Sequence, residues 1–122
     1  MITLKTKIII SDNTGGILGK CIQVYNKKTF ANIGEIIKIV IKKKNTKKKI
    51  LKNKMYSAIL LTITKNSYRK NGFFIKFSKN RVLLINEQKK LIGTRYKGPI
   101  SKEILMYKKK INKIISLAKK IL

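Results

Sequence analysis

The chain has 122 residues and carries 31 Lys+Arg against 4 Asp+Glu with no His, a formal net charge of +27. This length suits one domain, and 43% hydrophobic residues supply a small core, which argues against disorder throughout. So dense a positive charge needs a polyanion, and the densest in a cell is nucleic acid.

Most of the chain reads as short strands with period-two alternation. Leu4, Thr6, Ile8 and Ile10 share one face, and Lys5 and Lys7 take the other. Ser11 to Gly16 (SDNTGG) is rich in turn formers. Ile17 to Tyr25 reads as a second strand, with Ile22 and Val24 on one face, and Asn26-Lys27-Lys28 turns the chain. Ile37, Ile39 and Ile41 then alternate with Lys38, Val40 and Lys42. The next stretch carries Lys42, Lys43, Lys44, Lys47, Lys48, Lys49, Lys52 and Lys54, so it reads as a loop or a projecting ribbon. Its functional reading is a phosphate-contacting finger, and its bland one a solvated loop. Ile59, Leu61 and Ile63 form another strand face. Asn71-Gly72 within NSYRKNG is a hairpin signal, followed by Phe73, Ile75 and Phe77 in alternation and by the apolar run Val82 to Ile85. Five or six strands at this spacing predict a mainly β chain, a small closed barrel whose closure removes aggregation-prone edges.

The pattern changes after Asn86. Gly93-Thr94-Arg95 and Gly98-Pro99 punctuate a loop, and Ser101 reads as a helix N-cap with Glu103 suited to a helix start. Ile104, Tyr107, Ile111, Ile114, Ile115, Ala118 and Leu122 recur at helical spacing with lysines between. Periodicity alone reads one long basic helix, docked on the barrel or, less readily, lying on a membrane. The expected division is a barrel over residues 1 to about 90 and a C-terminal loop and helix over the rest, within one domain.

Several chemistries are excluded. Lone Cys21 without His offers neither an intramolecular disulfide nor a zinc set nor an activated nucleophile, so it reads as a small packed residue. Asp12, Glu35, Glu87 and Glu103 are far apart in sequence, and Gly15-Gly16 with Gly19 is no phosphate-loop fingerprint. The expectation is no enzyme and no cofactor. No apolar run approaches the roughly 20 residues that span a bilayer, and Met1 to Ile10, broken by Lys5 and Lys7, does not read as a secretory signal. The chain contains 28 Lys, 23 Ile and 10 Asn but only 3 Ala and 1 Pro, the mark of an A/T-biased genome in an organelle or a reduced endosymbiont. Mutational drift therefore accounts for part of the lysine excess.

Four segments resemble the universal large-subunit ribosomal protein fourteen family, bacterial or organellar type. SDNTGG at Ser11 to Gly16 is similar to the family's ADNSGA turn, and FANIGEIIK at Phe30 to Lys38 to YANIGDII. AILL at Ala58 to Leu61, followed by Asn71-Gly72, Phe77 and Asn80, keeps the spacing of the family's signature. IGTRYKGPISKEI at Ile92 to Ile104 is similar to GTRIFGPVARELR, and KIISLA follows at Lys113 to Ala118. The chain departs from the family at Leu51-Lys52-Asn53-Lys54 in the basic segment and at Lys119-Lys120 near the end.

The resemblance implies a five-stranded barrel with a projecting basic ribbon and two short C-terminal helices. It implies a structural constituent of the large ribosomal subunit that binds large-subunit rRNA and reaches small-subunit rRNA at inter-subunit bridges. It further implies a neighbour of the L-nineteen family and, as a candidate partner, a ribosome-silencing factor. The family's joining surface falls on Thr94, Arg95 and Lys113. The residues add their own candidates. Arg69, Arg81 and Arg95 stand against the codon bias and suit specific RNA contacts, with a surface salt bridge or a loop brace the alternative for Arg81. The RNA-binding set comprises the eight lysines of the basic segment, Tyr68, Arg69, Lys70, Arg81 and Lys97. Tyr68 and Tyr96 are placed to stack on bases, whereas Phe73, Phe74 and Phe77 are expected to pack inside. The competing class is a free barrel-type nucleic-acid chaperone. The expected setting is a ribosome in a plastid-type organelle, a mitochondrion or an endosymbiont's cytoplasm.

Overall fold

The computed structural model describes residues 2–25, 29–45, 53–104, 112–118 and 120–122. Seven strands occur among them: β1 (Lys7–Ile10), β2 (Gly16–Val24), β3 (Ile36–Lys44), β4 (Met55–Thr62), β5 (Ser67–Tyr68), β6 (Phe74–Ile75) and β7 (Arg81–Ile85). β1, β2, β3, β4 and β7 close a barrel in that order, while β5 and β6 form a separate two-stranded sheet. The barrel is antiparallel except at its seam, where β1 meets β7 in parallel with Ile9 opposite Arg81 and Ile10 opposite Val82. The predicted mainly β, five-stranded barrel is the observed one.

β3 shows why the sequence folds this way. Ile37, Ile39 and Ile41 are fully buried, and the residues between them are at least partly exposed. Branched side chains suit the pleat, and each buried isoleucine contributes roughly 1.5–3 kcal/mol relative to exposure. β4 and β7 differ. Ala58 to Thr62 and Val82 to Ile85 are buried at successive positions, so apolar material covers both faces of these strands. One face lines the barrel. The C-terminal segment adds Tyr96, Ile100, Ile104 and Ile114 to the same cluster.

Three local expectations are corrected, and one open alternative is decided. β1 begins at Lys7, because Leu4-Lys5 form a turn with Lys5 at φ 66° and Leu4 points outward. Ile22 and Val24 do not share a face: a bulge between Cys21 and Gln23 expels Ile22 and turns Cys21 and Val24 inward. Of the two readings of the basic segment, loop or ribbon, Lys42, Lys43 and Lys44 follow the ribbon. They prolong β3 because its backbone still pairs with β2, Lys43 with Leu18 and Lys44 with Gly16. The single long helix is replaced, among the described residues, by a 3₁₀ turn at 102–104 and a six-residue helix α1 (Asn112–Leu117). Ile121 pairs with Ile100, whose N–H donates to the Lys120 carbonyl 3.0 Å away and whose carbonyl accepts the Leu122 N–H at 2.8 Å. Leu122 is thus off the helix that its spacing suggested.

Candidate nucleic-acid interface

The turn after β1 and the loop after β7 are joined into one platform. Asn13 is its clamp. The Asn13 side-chain amide donates to Thr94 Oγ1 at 2.7 Å, and its Oδ1 accepts the Thr94 N–H at 2.9 Å and the Arg95 N–H at 3.3 Å. The Asn13 N–H donates to the Arg95 carbonyl at 3.1 Å, and the Lys97 N–H to the Ser11 carbonyl at 3.0 Å. Gly93 permits this approach, since a Cβ there would lie 2.8 Å from Asn13 Oδ1 and 3.0 Å from Asp12 Cβ. Beneath the clamp, the Asp12 carboxylate accepts the Thr14 hydroxyl at 2.5 Å, the Thr14 N–H at 3.3 Å and the Leu84 N–H of β7 at 3.0 Å. Burial pushes the Asp12 carboxyl above its ordinary value, against the opposing hydrogen bonds from Thr14 and Leu84. Two motifs distant in sequence are therefore one site, which leaves Thr94, Arg95 and Lys97 exposed.

Tyr96 fastens this platform to α1. Its ring is buried and its hydroxyl donates to the Ile114 carbonyl at 2.5 Å. The expected stacking of Tyr96 on a base is thereby corrected, because the ring docks the helix instead. Lys113 precedes Ile114 in α1, so the helix and the Thr94-Arg95 loop are tied through one tyrosine. Burial also pushes the Tyr96 hydroxyl up to about 12. A group raised in the folded state stabilises below its unfolded value, about 10, and that contribution fades as pH rises through the folded one. Tyr96→Phe should cost about 1 kcal/mol near neutrality. In urea melts the stability gap between wild type and variant should shrink from pH 9 to pH 12, and a constant gap would contradict this assignment.

The arginines act first as braces. Arg81 Nη1 donates to the Lys97 carbonyl at 3.1 Å, and its guanidinium occupies the space that a Cβ at Gly98, φ 89°, would fill. Arg69 makes a forked pair with Glu103, Nε to Oε1 at 2.9 Å and Nη2 to Oε2 at 3.4 Å, and Nη2 also donates to the Leu122 main-chain oxygen at 2.5 Å. Hydrogen bonding and charge from Glu103 raise the Arg69 guanidinium further above its already high value. Glu103 in addition accepts the Ser101 hydroxyl at the start of the 3₁₀ turn. Arg95 is exposed on its loop.

The remaining candidates are distributed over the surface. Lys42 and Lys43 are exposed on β3, Lys44 half-buried beside them, and Lys54 exposed just before β4 with Nζ 5.7 Å from the Tyr56 ring centroid. Lys47, Lys48, Lys49 and Lys52 lie outside the described residues. Tyr68 and Lys70 are exposed on the β5–β6 hairpin. Phe77 is buried as expected, but Phe73 and Phe74 are exposed, because the short hairpin leaves the barrel before either ring reaches the core. Sequence reasoning missed Asn13, Asp12 and Glu103 as organisers. The turn-forming SDN carried a signal for the first two, since such side chains bond backbone groups. Nothing in the local pattern marked Glu103 as the partner of Arg69.

A small closed barrel with a basic surface and a motif-built loop platform defines the class: a β-barrel protein with no metal-binding cluster of His, Cys, Asp and Glu among the described residues. The comparison with known proteins gives the family. The model of ribosomal protein L14p/L23e matches residues 1–122, and the chain is 40% identical over 124 residues to the large ribosomal subunit protein uL14 of Carsonella ruddii (strain PV), with all of both chains covered. The chain belongs to the ribosomal protein L14p/L23e family, and its role is that of a structural ribosomal protein.

Proposed function

We propose that the chain, acting as a single domain, is a constituent of the large ribosomal subunit that binds large-subunit rRNA without catalysis. The observation that supports this best is the family match over residues 1–122 in a chain of charge +27. Lysines neutralise phosphates as point charges and release counterions, while the rigid barrel holds them against a folded RNA whose shape and 2′-hydroxyls supply selectivity. Lys42, Lys43, Lys44, Lys54, Lys70 and Lys97 are the described lysines assigned to this role, and Lys47, Lys48, Lys49 and Lys52 belong with them by position in the sequence. Thr94, Arg95 and Lys113 form the surface toward small-subunit rRNA. The Asn13 clamp orders that loop before any partner arrives, which favours a fixed bridge over a floppy tail. A neighbouring protein of the L-nineteen family and a ribosome-silencing factor are the proposed protein partners. The Carsonella relative supports a reduced endosymbiont as the setting alongside an organelle.

Sedimentation of a lysate tests the placement: the protein should co-migrate with large subunits, and free or DNA-bound protein would refute it in favour of a nucleic-acid chaperone. Arg95→Ala combined with Lys113→Ala tests the bridge. Large-subunit incorporation should persist while subunit joining falls several-fold, and unchanged joining would rule out that surface.

A further inference from the structure

The β5–β6 hairpin displays aromatic surface that the barrel does not use. Tyr68, Phe73 and Phe74 are 78%, 72% and 58% exposed, although rings of this size normally bury much of their area. Tyr68 pairs with Phe74 across the hairpin, so the two rings leave from one face, with centroids 6.0 Å apart and planes tilted by 53°. Ser67 and Ile75 take the opposite, half-buried face. The segment from Thr64 to Lys79 carries Lys65, Arg69, Lys70, Lys76 and Lys79 and no acid. Lys70 and Lys76 are exposed. Arg69 is committed to Glu103 and the Leu122 main-chain oxygen, which fixes the turn end of the hairpin to the C-terminal segment. The rings therefore stand on a held support.

We propose that Tyr68 and Phe74 form a stacking platform for an unpaired RNA base, with Lys70 and Lys76 neutralising the phosphates on either side. The proposal rests on the RNA-binding reading above and deepens it. Exposed π faces within a purely cationic segment match single-stranded nucleic acid, which offers base faces and phosphates together. A duplex hides its base faces, so the platform selects unpaired strands. A protein partner fits less well, because buried interfaces exclude lysine.

The test compares the full chain with the Tyr68→Ala/Phe74→Ala double variant. Both positions are exposed, so circular dichroism melts should nearly coincide. The probes are oligouridine of about ten nucleotides, an abasic strand of equal length and charge, and a duplex of equal length, all at one salt concentration. The full chain should bind oligouridine roughly 5- to 100-fold more tightly than the abasic strand, and the double variant should lose most of that preference while binding the abasic strand unchanged. Equal binding of both single strands by the full chain would overturn the platform, as would a preference retained by the double variant. A double variant that keeps the preference yet fails to enter large subunits would assign the rings to a protein contact instead. Failure of the full chain to bind any strand or large-subunit rRNA would instead remove the RNA-binding reading itself.

Discussion

Replacing Asp12 by alanine is expected to destabilise the fold by about 2–4 kcal/mol, measured by urea denaturation at neutral pH. The carboxylate holds the Thr14 hydroxyl and N–H and the Leu84 N–H, and Leu84 is fully buried on β7. Alanine leaves that strand N–H without its acceptor in a place water does not reach, and desolvation is the larger part of the loss. The substitution also loosens the SDN turn under Asn13, so the Thr94-Arg95 loop should lose order with it. The pH dependence has a definite sign. The folded-state value of Asp12 is raised by burial, so the group favours the folded state below the ordinary value of 3.8, and that contribution is lost as pH rises through the raised folded value. Asp12→Asn cannot titrate. The stability of wild type relative to Asp12→Asn should therefore decline as pH rises across this acidic range, and a relative gain would contradict the burial argument.

The affinity for large-subunit rRNA is expected to fall about a thousand-fold or more between roughly 50 and 200 mM salt, provided that six or more phosphates are neutralised. Filter binding over a salt series measures it, and a shallow slope would mean that lysines do not carry the binding. Lys42→Gln with Lys43→Gln and Lys44→Gln should reduce the slope of log affinity against log salt by up to about one for each phosphate no longer neutralised. These lysines lie on a paired strand, not on a loose loop, so their spacing is set by the pleat. Their removal should weaken binding to all RNA sequences alike.

The barrel was legible because its signal is local. Ile37, Ile39 and Ile41 alternate without a break, and Val82 to Ile85 form a continuous apolar run, which is how a strand covered on two faces is written. Period counting failed where backbone geometry overrides it. No pattern announces the bulge that expels Ile22, and the pairing that keeps Lys42 to Lys44 in β3 belongs to β2, a partner absent from that local stretch. The platform was legible only in halves. Each motif was visible and matched the family, but the hydrogen bonds from Asn13 span 81 and 82 positions and cannot be read from either end alone. Tyr96 misled for the same reason: its neighbours in sequence are basic, while its partner in space is the Ile114 carbonyl of α1. Of the three arginines that scarcity singled out as RNA contacts, Arg69 and Arg81 brace the protein's own loops, through partners that no local pattern names.

The parallel seam between β1 and β7 also sets the order in which the molecule is able to form. β1 is synthesised before β7, and one of its edges stays open until Arg81 to Ile85 have been made. In the interval the growing chain carries a hydrophobic strand with an unpaired edge and a large uncompensated positive charge. The hairpins β2–β3 and β3–β4 close over short separations, whereas the seam joins residues far apart in sequence and must wait. The barrel therefore cannot close before β7 is made, and the contact of Asp12 with the Leu84 N–H waits for the same strand. The Thr94-Arg95 loop follows β7 and is held by Asn13 in the turn after β1, so its arrangement too depends on parts of the chain made far apart in time.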